Sequence, residues 1–147
     1  MNIEQIRTIE NKKDELIERV EDFFNAREKA FQEKTEEQKQ GKPLEGYLVP
    51  VKHTQLQNLV GLALATKSVD EITLFIQYQI GREAAKKDPK QPEWTEDSFG
   101  TELIKNIRQV AGGVADKEMK ISLVRLFIGY FMRYARYLKP TDEKSED

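Results

Sequence analysis

The chemistry most available to this chain of 147 residues is recognition of anions by helix-borne cations. Arg82 and Lys86 are four apart, Lys105 and Arg108 are three apart, and Arg125 and Arg136 share one face of a long periodic stretch. Lys52 and His53 stand together where another periodic stretch begins. Residues three or four apart are neighbours on a helix surface. Guanidinium and ammonium groups spaced this way on rigid elements suit the oxygens of a phosphate backbone. Such contacts position a polyanion and carry no base preference of their own. The plain alternative is an ordinary solvated surface, with Arg82 paired to Glu83 or Glu71.

Other chemistries find little support. The sequence holds no Gly-rich phosphate loop, nucleophile elbow, zincin pattern or Ca²⁺ loop. Without cysteine there is no disulfide, thiol nucleophile or thiolate metal site, and a single histidine, His53, cannot make a histidine cluster. The carboxylates lie on solvated helix faces. The expectation is therefore a protein that is not an enzyme, with no catalytic residues, no metal and no cofactor.

The net charge of −2 conceals an asymmetry. Residues 1–50 carry 9 basic and 12 acidic side chains, residues 51–140 carry 14 and 10, and residues 141–147 carry 1 and 4. A mildly basic body between acidic ends can attract an anion locally. No run is apolar for long enough to span a bilayer, and the first residues lack the basic-then-apolar pattern of a signal peptide. A cytoplasmic protein with no membrane partner is expected.

The elements that must position these cations follow from the apolar spacing. Residues 117–139 read as one helix, with Asp116 as N-cap and Pro140 as stop. Leu123, Phe127, Tyr130, Phe131, Tyr134, Tyr137 and Leu138 fall on one broad side of it. Arg125 and Arg136 fall nearly opposite, Gly129 and Met132 lie between, and Arg133 sits at the border. Gly129 leaves bare backbone where another chain could approach. Residues 3–39 read as a long charged helix whose stripe of Ile9, Leu16, Val20, Phe23 and Ala30 is widened by Ile6, Ile17, Phe24 and Phe31, and interrupted by Lys13 and Arg27. Residues 40–53, with two glycines and two prolines, form a linker that packs down through Leu44, Tyr47, Leu48 and Val51.

Thr54 and Gln57 form one capping-box signature, and Ser68 and Glu71 a second. The helices behind them point Leu56, Val60, Leu62, Ala63 and Leu64, then Ile72, Phe75, Ile76 and Ile80, inward. Asp88–Pro92 ends the second of these, and Trp94 covers a core edge. Thr95–Ser98 opens a helix that uses Leu103, Ile104, Ile107 and Val110 and stops at Gly112-Gly113. The reading is all-α: a single-domain bundle of about five helices with short loops over residues 1–140. Within it, residues 1–39 are the N-terminal helix, 40–53 the linker and 54–140 the core bundle, followed by an acidic, disordered tail at 141–147.

One segment is more specific than composition. The pattern Tyr-Gln-x-Gly-Arg-Glu-x-Ala-x-Lys-Asp over Tyr78–Asp88 resembles the small helical subunit of type III-A CRISPR effector (Csm) complexes. Thr54–Val60 resembles that family's helix opening, and Leu126–Tyr134 its aromatic last helix; the match covers roughly residues 50–139. The resemblance implies a non-enzymatic building block that stacks with other copies of itself inside a ribonucleoprotein filament. Guide RNA and target RNA, contacted at their phosphates, and the backbone and large subunits of the complex would be its partners. It carries over Arg82 and, beside it, Lys86, Lys87 and Arg133. Together with Lys52, Arg108, Arg125 and Arg136 from the spacing argument, these are the expected RNA contacts. One departure is that Gln55 and Gln57 stand where the family opening can be basic, with Lys52 and His53 near enough to substitute. The competing expectation is a protein-only adaptor that docks a partner through its N-terminal helix and touches no nucleic acid.

Overall fold

The computed structural model describes residues 1–86 and 91–142. Asn2 opens the first helix with a capping box, accepting from the Gln5 amide while the Gln5 side chain accepts from the Asn2 amide. That helix, α1, covers Ile3–Gln32. It is followed by α2 (Glu36–Lys39), α3 (Leu44–Leu48), α4 (His53–Ala65), α5 (Val69–Ala84), a 3₁₀ turn at Glu96–Ser98, α6 (Phe99–Gly112) and α7 (Lys117–Leu138). Five long helices make the all-α bundle that the periodicity predicts, and no strand occurs among the described residues.

Two expected boundaries move for local reasons. The helix expected over 3–39 stops at Gln32, because Thr35 adopts an extended backbone and restarts the chain with its own capping box to Gln38. Left-handed backbone at Gln40 and Gly41 ends that short helix. The 40–53 stretch is more than a linker, since it contains α3 and buries Tyr47, Leu48, Val49 and Val51. The expected disordered tail starts with an ordered residue. Asp142 accepts from the His53 amide at 3.0 Å and pairs with Lys139 at 3.3 Å. The helix expected to run to about Lys87 ends earlier, at Ala84, with Ala85 as its C-cap; residues 143–147, the expected stop residues 88–90 and the site residue Lys87 lie outside the described residues.

The other helices pack around α7. Asp116 caps it, accepting from the Met119 amide, as expected. α1 runs alongside it in the same direction: the Met1 ammonium meets Glu118, and Phe24 meets Phe131 and Tyr134. α4 and α6 run opposite to it, as shown by the contacts of His53 with Lys139 and of Phe99 with Phe131. Phe131 is the hub of the core, with ring centroids of Phe23, Phe24, Phe99 and Phe127 at 5.0, 4.9, 5.9 and 6.1 Å. Each large side chain buried here contributes about 1.5–3 kcal/mol.

The buried face of α7 is wider than the expected wall, taking in Ile121, Val124 and Ile128. The wall turns outward at the last turn, where Tyr137 is 74% exposed. On α4, Leu59 rather than Leu64 faces inward, since burial follows the three- and four-residue steps from Leu56 to Ala63. On α1, Ala30 lies at the surface and the interrupting Arg27 is buried.

α5 and α6 are joined through a segment that enters the core with only part of its backbone paired to itself. Trp94 is 2% exposed and reaches Phe75 and Phe99. Gly100 donates to the Trp94 carbonyl at 2.7 Å, and a Cβ on Gly100 would stand 2.9 Å from Ile80, so only glycine permits this approach. Glu83 is buried and takes four donors: the amides of Glu93, Trp94 and Thr95 and the Thr95 hydroxyl, at 2.9–3.0 Å. The carbonyls that follow go to Arg27. Its guanidinium donates to Tyr47 O at 2.8 Å, Asp97 O at 3.2 Å and Glu96 O at 3.3 Å, between the rings of Tyr47 and Phe99. Burial pushes the Arg27 pKa below its ordinary value, with Tyr47, Asp97 and Glu96 pulling the other way.

The Tyr47 hydroxyl donates to the Asp97 carboxylate, and Lys34 pairs with the same group at 3.0 Å. The Tyr47 bond, with Lys34, holds the Asp97 carboxyl below its ordinary range despite partial burial.

Two outcomes follow. Glu83→Gln replaces one acceptor oxygen with a donor that faces a backbone amide. It is expected to cost about 2–4 kcal/mol, read as a lower urea midpoint from the fluorescence of Trp94, the chain's one tryptophan. Asp97 is ionised more readily folded than unfolded, so its contribution is complete at neutral pH and is lost as pH falls through its depressed folded pKa. The stability gap between the wild type and Asp97→Asn, from urea titrations at several pH values, should be full at neutral pH and close below about pH 4. A gap that is flat across acid pH would contradict the assignment.

Candidate nucleic-acid interface

Burial sorts the cations into two groups. One group holds backbone carbonyls at helix ends, where the last carbonyls of a helix lack partners. Lys120 donates to Ala111 O and Val114 O at 2.8 and 2.6 Å, closing α6. Lys139 donates to Val49 O at 2.7 Å, beyond the end of α3. Arg125 belongs here too: its Nε and Nη2 donate to Ala63 O and Thr66 O at 2.7 and 2.8 Å, closing α4. The helix wheel puts Arg125 in water beside Arg136, whereas the structure half-buries it and leaves only Nη1 without a protein partner. Arg136 stays exposed and donates to Pro140 O at 3.0 Å.

The other group is exposed and uncommitted. Arg82 lies in the last turn of α5 and Lys86 just beyond it, and neither has an ion-pair partner among the described residues. Arg82 therefore pairs with neither Glu83, which the 93–95 backbone occupies, nor Glu71. Its guanidinium instead rests 6.0 Å from the ring centroid of Tyr78. With Gln55, Gln79 and Glu93, Arg82 and Lys86 line a shallow hollow of about 50 Å³. The exposed Lys52 joins this end of the bundle, since its amide donates to Glu93 at 3.3 Å.

Lys52, Arg82 and Lys86 are thus gathered from two elements. Arg108 on α6 and Arg133 on α7 are exposed, and no hydrogen bond, ion pair or shared hollow links them to that end among the described residues. Arg133 rests 6.0 Å from the Tyr130 ring. His53 cannot stand in for a surface cation. It is 4% exposed and its Nε2 donates to Lys139 O at 2.7 Å. The helix start that Thr54 signals is also capped from afar, by Asp142 on the His53 amide. Nothing in the local sequence announces a partner 89 residues away.

A second surface has the opposite sign. Between α1 and α6 lies a groove of about 640 Å³ whose lining includes Phe23 and Ala26 and the carboxylates Glu15, Glu18, Asp22, Asp97 and Glu102. Both arginines that line it are committed, Arg27 to the carbonyls above and Arg19 to Asn106 and Gln109 at 3.2 and 2.8 Å. Sequence periodicity hides this groove, because the acidic residues of α1 read as ordinary solvated charge. Among the described residues no group of three His, Cys, Asp or Glu is placed to hold a metal, and no helix is long and apolar enough to cross a membrane.

No protein-family model, curated protein or solved structure matches the chain.

The sorting has a direct consequence for stability. Arg125→Ala uncaps α4 and is expected to cost about 1–3 kcal/mol, whereas Arg108→Ala and Arg133→Ala should stay within about 0.5 kcal/mol of wild type. Urea denaturation monitored by circular dichroism compares the three, and equal effects would refute the division.

Proposed function

We propose that this chain is a non-enzymatic, RNA-contacting structural subunit of a CRISPR RNA-guided antiviral ribonucleoprotein, of the kind its Tyr78–Asp88 segment resembles. The observation that carries the reading is how Gly81-Arg82-Glu83 divides its charges. Glu83 turns inward and organises the loop, while Arg82 turns outward with Lys86 and has no carboxylate partner among the described residues. A cation held on a rigid helix end without an internal partner suits a polyanion. Lys52, Arg82 and Lys86 form the first contact in this reading, Arg108, Arg133 and Arg136 are further contacts, and Arg125 contributes through Nη1. Binding is electrostatic and largely indifferent to sequence, so it should weaken steeply with salt.

Filter binding of generic RNA across a salt series tests this. The double variant Arg82→Glu, Lys86→Glu should bind more weakly. Its slope of log affinity against log salt should be shallower by about 0.7 for each single-strand phosphate no longer neutralised, or about 0.9 for each duplex phosphate. Unchanged affinity and slope would sink the proposal.

The acidic groove favours a second reading, a protein adaptor that receives a cationic segment along α1. Co-purification from the native host discriminates the two. A partner protein lost on Glu18→Lys with Asp22→Lys, in a complex without RNA, decides for the adaptor.

A further inference from the structure

The exposed face of α5 carries a feature that neither the core nor the cation argument uses. Leu74 and Tyr78 are 62% and 61% exposed, and with Arg82 they stand at successive four-residue steps on one face. Buried Tyr rings elsewhere have protein neighbours, as Tyr47 does with Phe31. Among the described residues, the one aromatic or cationic neighbour of the Tyr78 ring is the Arg82 guanidinium, at 6.0 Å. Gly81 lies beside this pair, inside the helix, and a Cβ there would meet nothing within 4 Å. A glycine in a helix interior disfavours the helix relative to alanine, and no packing among the described residues compensates at this position.

We propose that Tyr78 is a stacking platform for an unpaired RNA base, with Arg82 and then Lys86 holding successive phosphates toward the C-terminal end of α5 and Gly81 leaving room for the strand. The inference rests on the RNA-binding reading above and narrows its ligand to RNA with unpaired nucleotides. The charge of the face favours RNA over a protein partner. From Tyr78 to Lys86 the exposed positions are Tyr78, Gly81, Arg82, Ala84, Ala85 and Lys86, and the segment's one carboxylate, Glu83, is turned inward on backbone amides. An exposed aromatic ring beside an arginine offers what single-strand binding uses, a π-face for any base and a cation for the adjoining phosphate. The Arg82 guanidinium, 6.0 Å from the ring centroid, is near enough to reach a phosphate beside a stacked base.

The test uses the full chain, three RNAs (single-stranded, fully paired, and paired with one unpaired nucleotide) and filter binding across salt. Wild type should prefer the two RNAs that have unpaired bases. Tyr78→Ala should weaken binding to those two by roughly 5- to 100-fold, leave duplex binding unchanged and keep the salt slope, because no charge is removed. Tyr78→Phe should retain the affinity. Gly81→Met should unfold at the same or higher urea concentration than wild type, yet bind unpaired RNA more weakly.

Equal binding of all three RNAs by wild type and Tyr78→Ala overturns the platform and leaves the RNA reading standing. No binding of any RNA by wild type overturns both. Loss of self-association in Tyr78→Ala by sedimentation, with RNA affinity intact, reassigns the face to a protein contact.

Discussion

The segment between α5 and α6 must enter the core to bring Trp94 against Phe75 and Phe99, and its single 3₁₀ turn at Glu96–Ser98 leaves several backbone groups to be paired by side chains. A buried amide or carbonyl without a partner costs about 1–3 kcal/mol, so leaving the five groups of this buried and part-buried segment unpaired would take a large share of the margin by which small domains are stable. Two charged side chains resolve this. The Glu83 carboxylate takes the amides of residues 93–95, and the Arg27 guanidinium takes the carbonyls of residues 96 and 97. Donors meet the anion and acceptors meet the cation. The left-handed backbone at Asp97 and Ser98 is then fixed by what surrounds it, with Asp97 tied to Tyr47 and Lys34.

That clasp governs which cations are left for a ligand. The Gly81-Arg82-Glu83 segment places two opposite charges side by side on α5, and they would neutralise each other if both faced water. Because the loop amides draw Glu83 inward, Arg82 is left on the surface without its neighbour's field. The same logic separates Arg27, Lys120, Arg125 and Lys139 from the exposed group. Each satisfies carbonyls that the chain itself cannot, so each serves the fold before any ligand arrives.

Helical periodicity made the five long helices legible, along with the caps at Ser68 and Asp116 and most of the core on α6 and α7, since these depend on residues within a turn or two of each other. What stayed hidden depends on distant parts of the chain. Arg27 reads as an interruption of an apolar stripe, because its partners lie 20 to 70 residues away. Glu83 reads as a surface carboxylate beside an arginine. Thr54 reads as a cap, but Asp142 from the far end of the chain takes that place. Arg125 reads as solvent-facing because a helix wheel does not reveal that α4 ends beside it. Exposed Tyr78 was equally concealed, since the wheel of α5 has one apolar face for the core and cannot assign a second to a ligand.

The hollow beside Arg82 and the acidic groove share one stretch of backbone. Glu93 lines the first and Asp97 the second, four residues apart, with the clasp between them. If that stretch were loose, each surface could adjust to its own ligand. With its amides bound by Glu83 and its carbonyls by Arg27, it is instead a rigid strut, and bound side chains and backbone at both ends keep a fixed separation. The two surfaces are therefore held in a constant relative orientation.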